Sequence, residues 1–422
     1  MLASATRAAS TRRLASRARH FATVTDTSGF KIIAADNGQS TTSVSFVVKA
    51  GSRYEPKPGL AHVLRNFGFK NTTQRSALGT IREAELYGGV LSSSMSREHV
   101  TYTADFLRED EEYFVEVLSN ILTSTRFTRY ELEESVLPYV EAEATEARAD
   151  PATYAIELAH AIAFRSGLGA PLFSPPHSHI TIEDVTQYAK NAFGRENVTI
   201  LGSGISQEKL SKLVTKHLSS APNVGVTGPQ TTKYHGGETR VTFSEHGQHA
   251  PHTIFIGYGI PGQPSAELSI LNSYLSTTPS LKWSTSSSPL ATGLPSETSA
   301  KPVLLQYSDA ALFGVIVQGK TPEGVTEAGK TVAQVLKNLS VKEEDFKRAT
   351  AKAKFSAASE QDSRSGHLVA ATAPWVNQLF SSTEKLTSAS VGKLASDLRK
   401  AKPTFVAVGD IYRLPHLDQL GL

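Results

Sequence analysis

A chain of 422 residues, 39% of them apolar and 20% charged, is long enough for two cores and has the makeup of an ordinary globular protein. It contains no cysteine, which excludes disulfides, thiolate metal sites, iron-sulfur ligation and a cysteine nucleophile together. Its most apolar stretches, residues 312–317 and 404–408, are strand-length, far short of the roughly 20 residues of a membrane span, so membrane contact is expected only through partners.

Residues 1–21 carry Arg7, Arg12, Arg13, Arg17 and Arg19, are rich in Ala and Ser, and are followed by no acid before Asp26. This is the composition of a mitochondrial presequence. Arg19-His20-Phe21-Ala22 resembles the matrix-processing pattern, with Arg three residues ahead of the cut, so cleavage is expected between Phe21 and Ala22. Losing those five arginines takes the formal charge from +3 to −2, so the positive balance gives no reason to expect a nucleic-acid partner.

In the first half of the mature chain, alternation predicts strands at 42–49 and 100–106. Helical spacing predicts helices at 59–69, 109–122 and 129–148. The second half repeats the order: strands at 252–258 and 312–318, and helices at 265–275, 324–339 and 341–360, the last opened by a Ser340/Glu343 capping box. Residues 180–205 align without gaps on 386–411 at an offset of 206, each a helix, a strand and a glycine turn. A repeat that long is a duplicated domain. The expected division is a presequence at 1–21, a first domain at 22–220, a Pro/Gly/Thr-rich linker at 221–237 and a second domain at 238–422. Strands followed by pairs of helices favour an α+β sandwich over a doubly wound sheet.

Three features suggest chemistry and also have plainer readings. Gly257-Tyr-Gly259-Ile-Pro-Gly262 fits the dinucleotide pattern GxGxxG, but Pro261 stiffens it and residues 277–288 offer no acid for a ribose. A glycine turn leaving a strand is expected instead. His246, His249 and His252 are spaced i, i+3, i+6, but Gly247 and Pro251 break the helix that would bring the rings together, so solvated loop histidines are expected. Residues 273–299 read as a long surface loop, with Trp283 either a partner anchor or part of a disordered stretch.

The segment Gly59-Leu-Ala-His62-Val-Leu-Arg65-Asn66-Phe-Gly-Phe-Lys70 is the most informative. With Glu83–His99 and the polar helix at 131–150, it resembles the pitrilysin-like, or inverzincin, zinc metallopeptidases over nearly all of residues 30–422. The resemblance implies two α/β sandwich domains of the processing-peptidase and LuxS-like metallohydrolase type. It also implies a His-x-x-Glu-His zinc helix whose Glu is the general base, and a third ligand Glu on the later helix, for which Glu141 and Glu143 are the candidates. His62 matches the first ligand, but Arg65 stands at the base position and Asn66 at the second His. An arginine cannot take a proton from a metal-bound water and places a fixed charge where the dication would sit. One His and one Glu fall short of the three ligands of a catalytic zinc. No peptidase activity, bound metal or cofactor is therefore expected, with His62 structural or at an interface and Glu141 and Glu143 on a solvated face.

Mitochondrial members of this family without the ligands are of two kinds: the α subunit of the processing peptidase, with a glycine-rich loop, and the core subunits of ubiquinol-cytochrome c reductase (complex III). Residues 273–299 hold one glycine, Gly293. Ser280-Leu-Lys282-Trp283 and Ser288-Pro289-Leu290, with the ending Phe405-Val-Ala-Val-Gly409-Asp410, look like the core-subunit branch. That resemblance implies a peripheral protein on the matrix side of the mitochondrial inner membrane. Its implied partners are core protein 1, cytochrome b, the c-type cytochrome subunit and the iron-sulfur subunit of a dimeric complex. The processing-peptidase role is the alternative.

Overall fold

The structure, a computed structural model, describes residues 23–422 apart from 28, 37, 177, 223, 226, 227, 229, 230, 243–249, 279–287, 340 and 363–385. The first half runs β1 (Thr23–Thr27), β2 (Phe30–Ala35), β3 (Thr41–Val48), α1 (Leu60–Asn66), α2 (Ala77–Leu86), β4 (Val90–Met95), β5 (Val100–Leu107) and α3 (Glu111–Thr123). It continues through α4 (Arg129–Glu131), a π-turn (Leu132–Val136), α5 (Leu137–Ala149), α6 (Pro151–Phe164), α7 (Ile182–Ala192), β6 (Val198–Ser203) and α8 (Gln207–His217). The second half runs β7 (Gly237–Thr242), β8 (His252–Pro261), α9 (Ala266–Leu275), β9 (Thr298–Gln306), β10 (Ala310–Gly319), α10 (Pro322–Lys337), α11 (Glu343–Asp362), α12 (Ser388–Lys400) and β11 (Thr404–Gly409).

The strands form a six-stranded sheet, β1-β2-β6-β3-β5-β4, and a five-stranded sheet, β7-β11-β8-β10-β9. Each contains one parallel pair, β2 with β6 and β7 with β11, followed by antiparallel neighbours. Matching β2–β6 onto β7–β11 reproduces the strand order, so the second sheet is the first without β1. The helix caps repeat as well. Thr181 accepts from the Asp184 N–H and Thr387, 206 residues on, from the Ser390 N–H, each answered by a reciprocal bond. The architecture is the duplicated α+β sandwich expected from the sequence.

Strands β3 and β10 are buried along almost their whole length, as befits central strands covered on both faces. Helix α10 shows the opposite logic. Thr321 caps it, Pro322 opens it, and Val325, Ala328, Val332, Ala333 and Leu336 make one buried stripe.

Helix α6 has no counterpart among the sequence expectations. Asp150 ends α5 and caps α6 through the N–H groups of Ala152 and Thr153. The helix then leaves the first sheet and packs on the second: Ala155, Ala159 and Ala163, at i, i+4 and i+8, are fully buried with Phe255, Leu312, Val406 and Val408. An alanine stripe lets backbone approach backbone. The division drawn at 221–237 is thus crossed by packing.

The GxGxxG stretch belongs to that seam. Gly257 and Gly259 lie inside β8 rather than in a turn, and only Gly262, at φ +107°, sits beyond the strand. A Cβ on Gly257 would meet the Phe255 ring at 2.6 Å, and one on Gly259 the Tyr234 ring at 2.3 Å. The glycines make room for aromatic rings, and the expected glycine turn is corrected to a strand interior.

The expected linker is also tied down where it is described: Thr232 is buried, and the His235 N–H donates to the Ala163 carbonyl. The end of the expected 273–299 loop is pinned too, because Leu290 is buried and the Ser288 hydroxyl donates to the Leu275 carbonyl at 2.7 Å. Phe21, Ala22, His246, His249, Lys282, Trp283 and Ser340 lie outside the described residues. His252 opens β8, and its Nδ1 accepts from the Asp410 N–H at 3.2 Å.

Candidate functional site

Helix α1 is short, seven residues or about two turns, and pinned at its start. Gly59 takes φ +94°, a region that favours glycine, and a Cβ there would meet Ser174 Oγ at 2.5 Å. The Glu55 carboxylate accepts from the N–H groups of Gly59 at 3.0 Å and Ala61 at 2.9 Å, satisfying orphan donors of the helix. Burial pushes the Glu55 carboxyl up to about 7, against the opposing pull of those N–H groups and of Arg97.

Because His62, Arg65 and Asn66 stand at i, i+3 and i+4, α1 presents all three on one face. That face meets α5, and all three donate to one oxygen, Oε2 of Glu143: His62 Nε2 at 2.8 Å, Asn66 Nδ2 at 3.1 Å, and Arg65 Nη2 in close contact. His62 is fully buried, and its ring meets Phe173 edge-on at 5.5 Å. The Ser174 N–H donates to His62 Nδ1 at 3.2 Å, so Nε2 bears the hydrogen that reaches Glu143. Burial lowers the His62 pKa against the opposing pull of Glu143, keeping the ring neutral.

Burial alone would raise the pKa of Glu143, but the hydrogen bonds from Arg65, His62 and Asn66 and the Arg65 charge outweigh it and hold the carboxyl at about 2. Glu143 is 34% exposed, and its net contribution is accordingly modest. Glu141, two residues earlier, is exposed. The expectation of a solvated face thus applies to Glu141 and is corrected for Glu143, which the helix turn directs onto α1.

A carboxyl with a depressed folded-state pKa stabilises above its unfolded value, near 4.5, and loses that contribution as pH falls toward 2. Glu143→Gln is expected to cost about 1 kcal/mol at pH 7, reduced by solvent screening. Thermal melts between pH 7 and pH 3 should show the difference between Gln variant and wild type shrinking as the solution is acidified.

These residues do not suit the zinc ion of the peptidases. Both ring nitrogens of His62 are engaged, the one carboxylate is already paired with a guanidinium, and Asn66 gives its amide hydrogens to Glu143 and to the His62 carbonyl. Among the described residues, no three His, Cys, Asp or Glu side chains are placed to hold a metal. Arg65, at the place of the general base, has no acceptor to offer a proton.

Comparison with known proteins accords with this geometry. The Insulinase (Peptidase family M16) profile matches residues 31–176, and the Peptidase M16 inactive domain profile matches residues 179–352. The chain is 42% identical to the mitochondrial cytochrome b-c1 complex subunit 2 of Cryptococcus neoformans var. grubii, over 96% of this chain and 95% of that one. It is 35% identical to the protein of the same name from Yarrowia lipolytica, over 97% and 98%. A protease from Helicobacter pylori, 17% identical, shares the fold at a TM-score of 0.78, over 92% of this chain and 100% of that one. The chain belongs to the M16 peptidase family, in the branch of the cytochrome b-c1 complex subunit 2 proteins, as a member whose peptidase site is lost.

Proposed function

We propose that the chain is a non-catalytic core subunit of mitochondrial respiratory complex III, ubiquinol-cytochrome c reductase. It supports assembly and stability of the complex without carrying a redox group. The observation that carries the reading is the likeness to cytochrome b-c1 complex subunit 2 proteins through both halves of the chain, at 42% and 35% identity. The α1–α5 contact adds chemical support, since it uses the former catalytic positions to join two helices.

In this reading the protein sits peripherally on the matrix side of the inner membrane. It pairs with core protein 1 and touches the cytochrome b, c-type cytochrome and iron-sulfur subunits of a dimeric complex. No described helix is long and apolar enough to cross a membrane, so attachment runs through those partners. Residues 1–21 act as the presequence, removed between Phe21 and Ala22.

Depleting the protein from mitochondria and measuring both cytochrome b absorbance and presequence cleavage tests the proposal. Loss of assembled cytochrome b with cleavage intact is the expected result. Failed cleavage with normal cytochrome b would instead identify a processing-peptidase subunit.

A further inference from the structure

We propose that Arg65 is a tethered cation that takes the place of the family's metal ion on Glu143 and seals the site against zinc. The proposal concerns the chemistry of this site alone and does not depend on the complex in which the chain is assembled.

Arg65 is one of three donors on the same Glu143 oxygen, but it is the one that brings a full charge. Its side chain is 17% exposed, against 34% for Glu143, so the pair sits in partly desolvated surroundings where a charge interaction counts for more than in water. His62 accepts the Ser174 N–H on Nδ1 and gives Glu143 the hydrogen on Nε2, so the guanidinium and the carboxylate form a self-compensating unit. A dication entering this place would have to displace a covalently attached guanidinium cation.

The absence of the second histidine is a separate defect. Asn66 faces the same carboxylate at 3.1 Å, so Asn66→His alone would supply the full ligand set of His62, a histidine at 66 and Glu143. If Arg65 is the seal, that single substitution leaves the site closed.

The test uses the full chain in four forms: wild type, Asn66→His, Asn66→His with Arg65→Gln, and Asn66→His with Arg65→Lys. Zinc content after dialysis and the shift of Tm on adding zinc chloride or a chelator are measured for each. The expected result is no zinc in wild type, in Asn66→His or in the Lys double variant. The Gln double variant takes up one zinc per chain, at least about 100-fold tighter than Asn66→His, and its Tm rises with zinc. Asn66→His with Arg65→Met is a second neutral form should the Gln variant not fold.

Equal zinc binding by Asn66→His and by the neutral double variants would overturn the proposal, because Arg65 would then be no barrier. Zinc binding by none of them would also overturn it. The bar would then lie elsewhere, with the Ser174 N–H on His62 Nδ1 as the next candidate.

Discussion

Arg53→Met is expected to destabilise the protein by about 3–5 kcal/mol, the range for breaking a buried charge network by removing one partner. The Arg53 side chain is 1% exposed, at the seam between the halves. It donates to Glu98 Oε1 at 2.7 Å, and to both oxygens of Asp309 at 2.7 Å in a fork-to-fork pairing. Further bonds reach Ser308 Oγ at 3.2 Å and Thr232 Oγ1 at 3.1 Å. Glu98 is itself buried and takes a second bond from the Ser308 N–H at 3.0 Å. Met fills the space of the stem but leaves both carboxylates without their cation. Arg53→Lys keeps the charge and loses the fork, so a loss of about half that size is expected. Thermal melts report the total, and amide exchange along α6 reports whether the seam opens before the two cores do. A Met variant that melts with the wild type would refute the assigned role.

Gly257→Val is expected to cost at least about 3 kcal/mol, as an overpacking change that collides with backbone. A Cβ at this position would come within 2.6 Å of both the Phe255 ring and the Phe313 carbonyl oxygen. Gly314, directly across from Gly257 in the β10–β8 ladder, is covered by the same ring, with its own Cβ position 2.5 Å from Phe255 Cζ. Phe255→Ala, which empties that fully buried place, is expected to cost about 3–5 kcal/mol. The double substitution Phe255→Ala with Gly257→Ala should cost less than the sum of the single changes, because the new methyl enters the space left by the ring. Only part of the loss returns, since the Phe313 carbonyl stays in place. Strict additivity in equilibrium unfolding would contradict this packing account.

Elements with a simple burial pattern, either a continuous buried run or a single period, were legible in the sequence. Strands β3, β5, β8 and β10 and helices α3 and α10 fall within a few residues of their expected places. The duplication was legible because two threonine caps and two helix–strand units share one offset. Helix α6 was not, because Pro-Ala-Thr-Tyr-Ala-Ile-Glu-Leu-Ala-His-Ala-Ile-Ala-Phe lacks a single apolar stripe. One of its faces meets the second sheet while partly buried apolar side chains lie around the rest.

The choice between Glu141 and Glu143 depended on helix phase, and the π-turn at Leu132–Val136 alters that phase upstream. Turn geometry of that kind leaves no mark in local composition. The positions of His62, Arg65 and Asn66 on one face were readable from spacing. Their convergence on a single carboxylate oxygen required the tertiary meeting of α1 with α5. The glycines of β8 were misread because the ring that covers Gly259 comes from Tyr234, a residue of the presumed linker.

The most direct test of the central claim is isolation of the tagged protein from mitochondria in mild detergent, followed by an absorption spectrum, zinc analysis and mass spectrometry of the same sample. The expected result is co-isolation of b- and c-type haem proteins with core protein 1, the full complex migrating as one species. A haem-free soluble pair with a zinc-containing peptidase would contradict the assignment and place the chain in presequence processing.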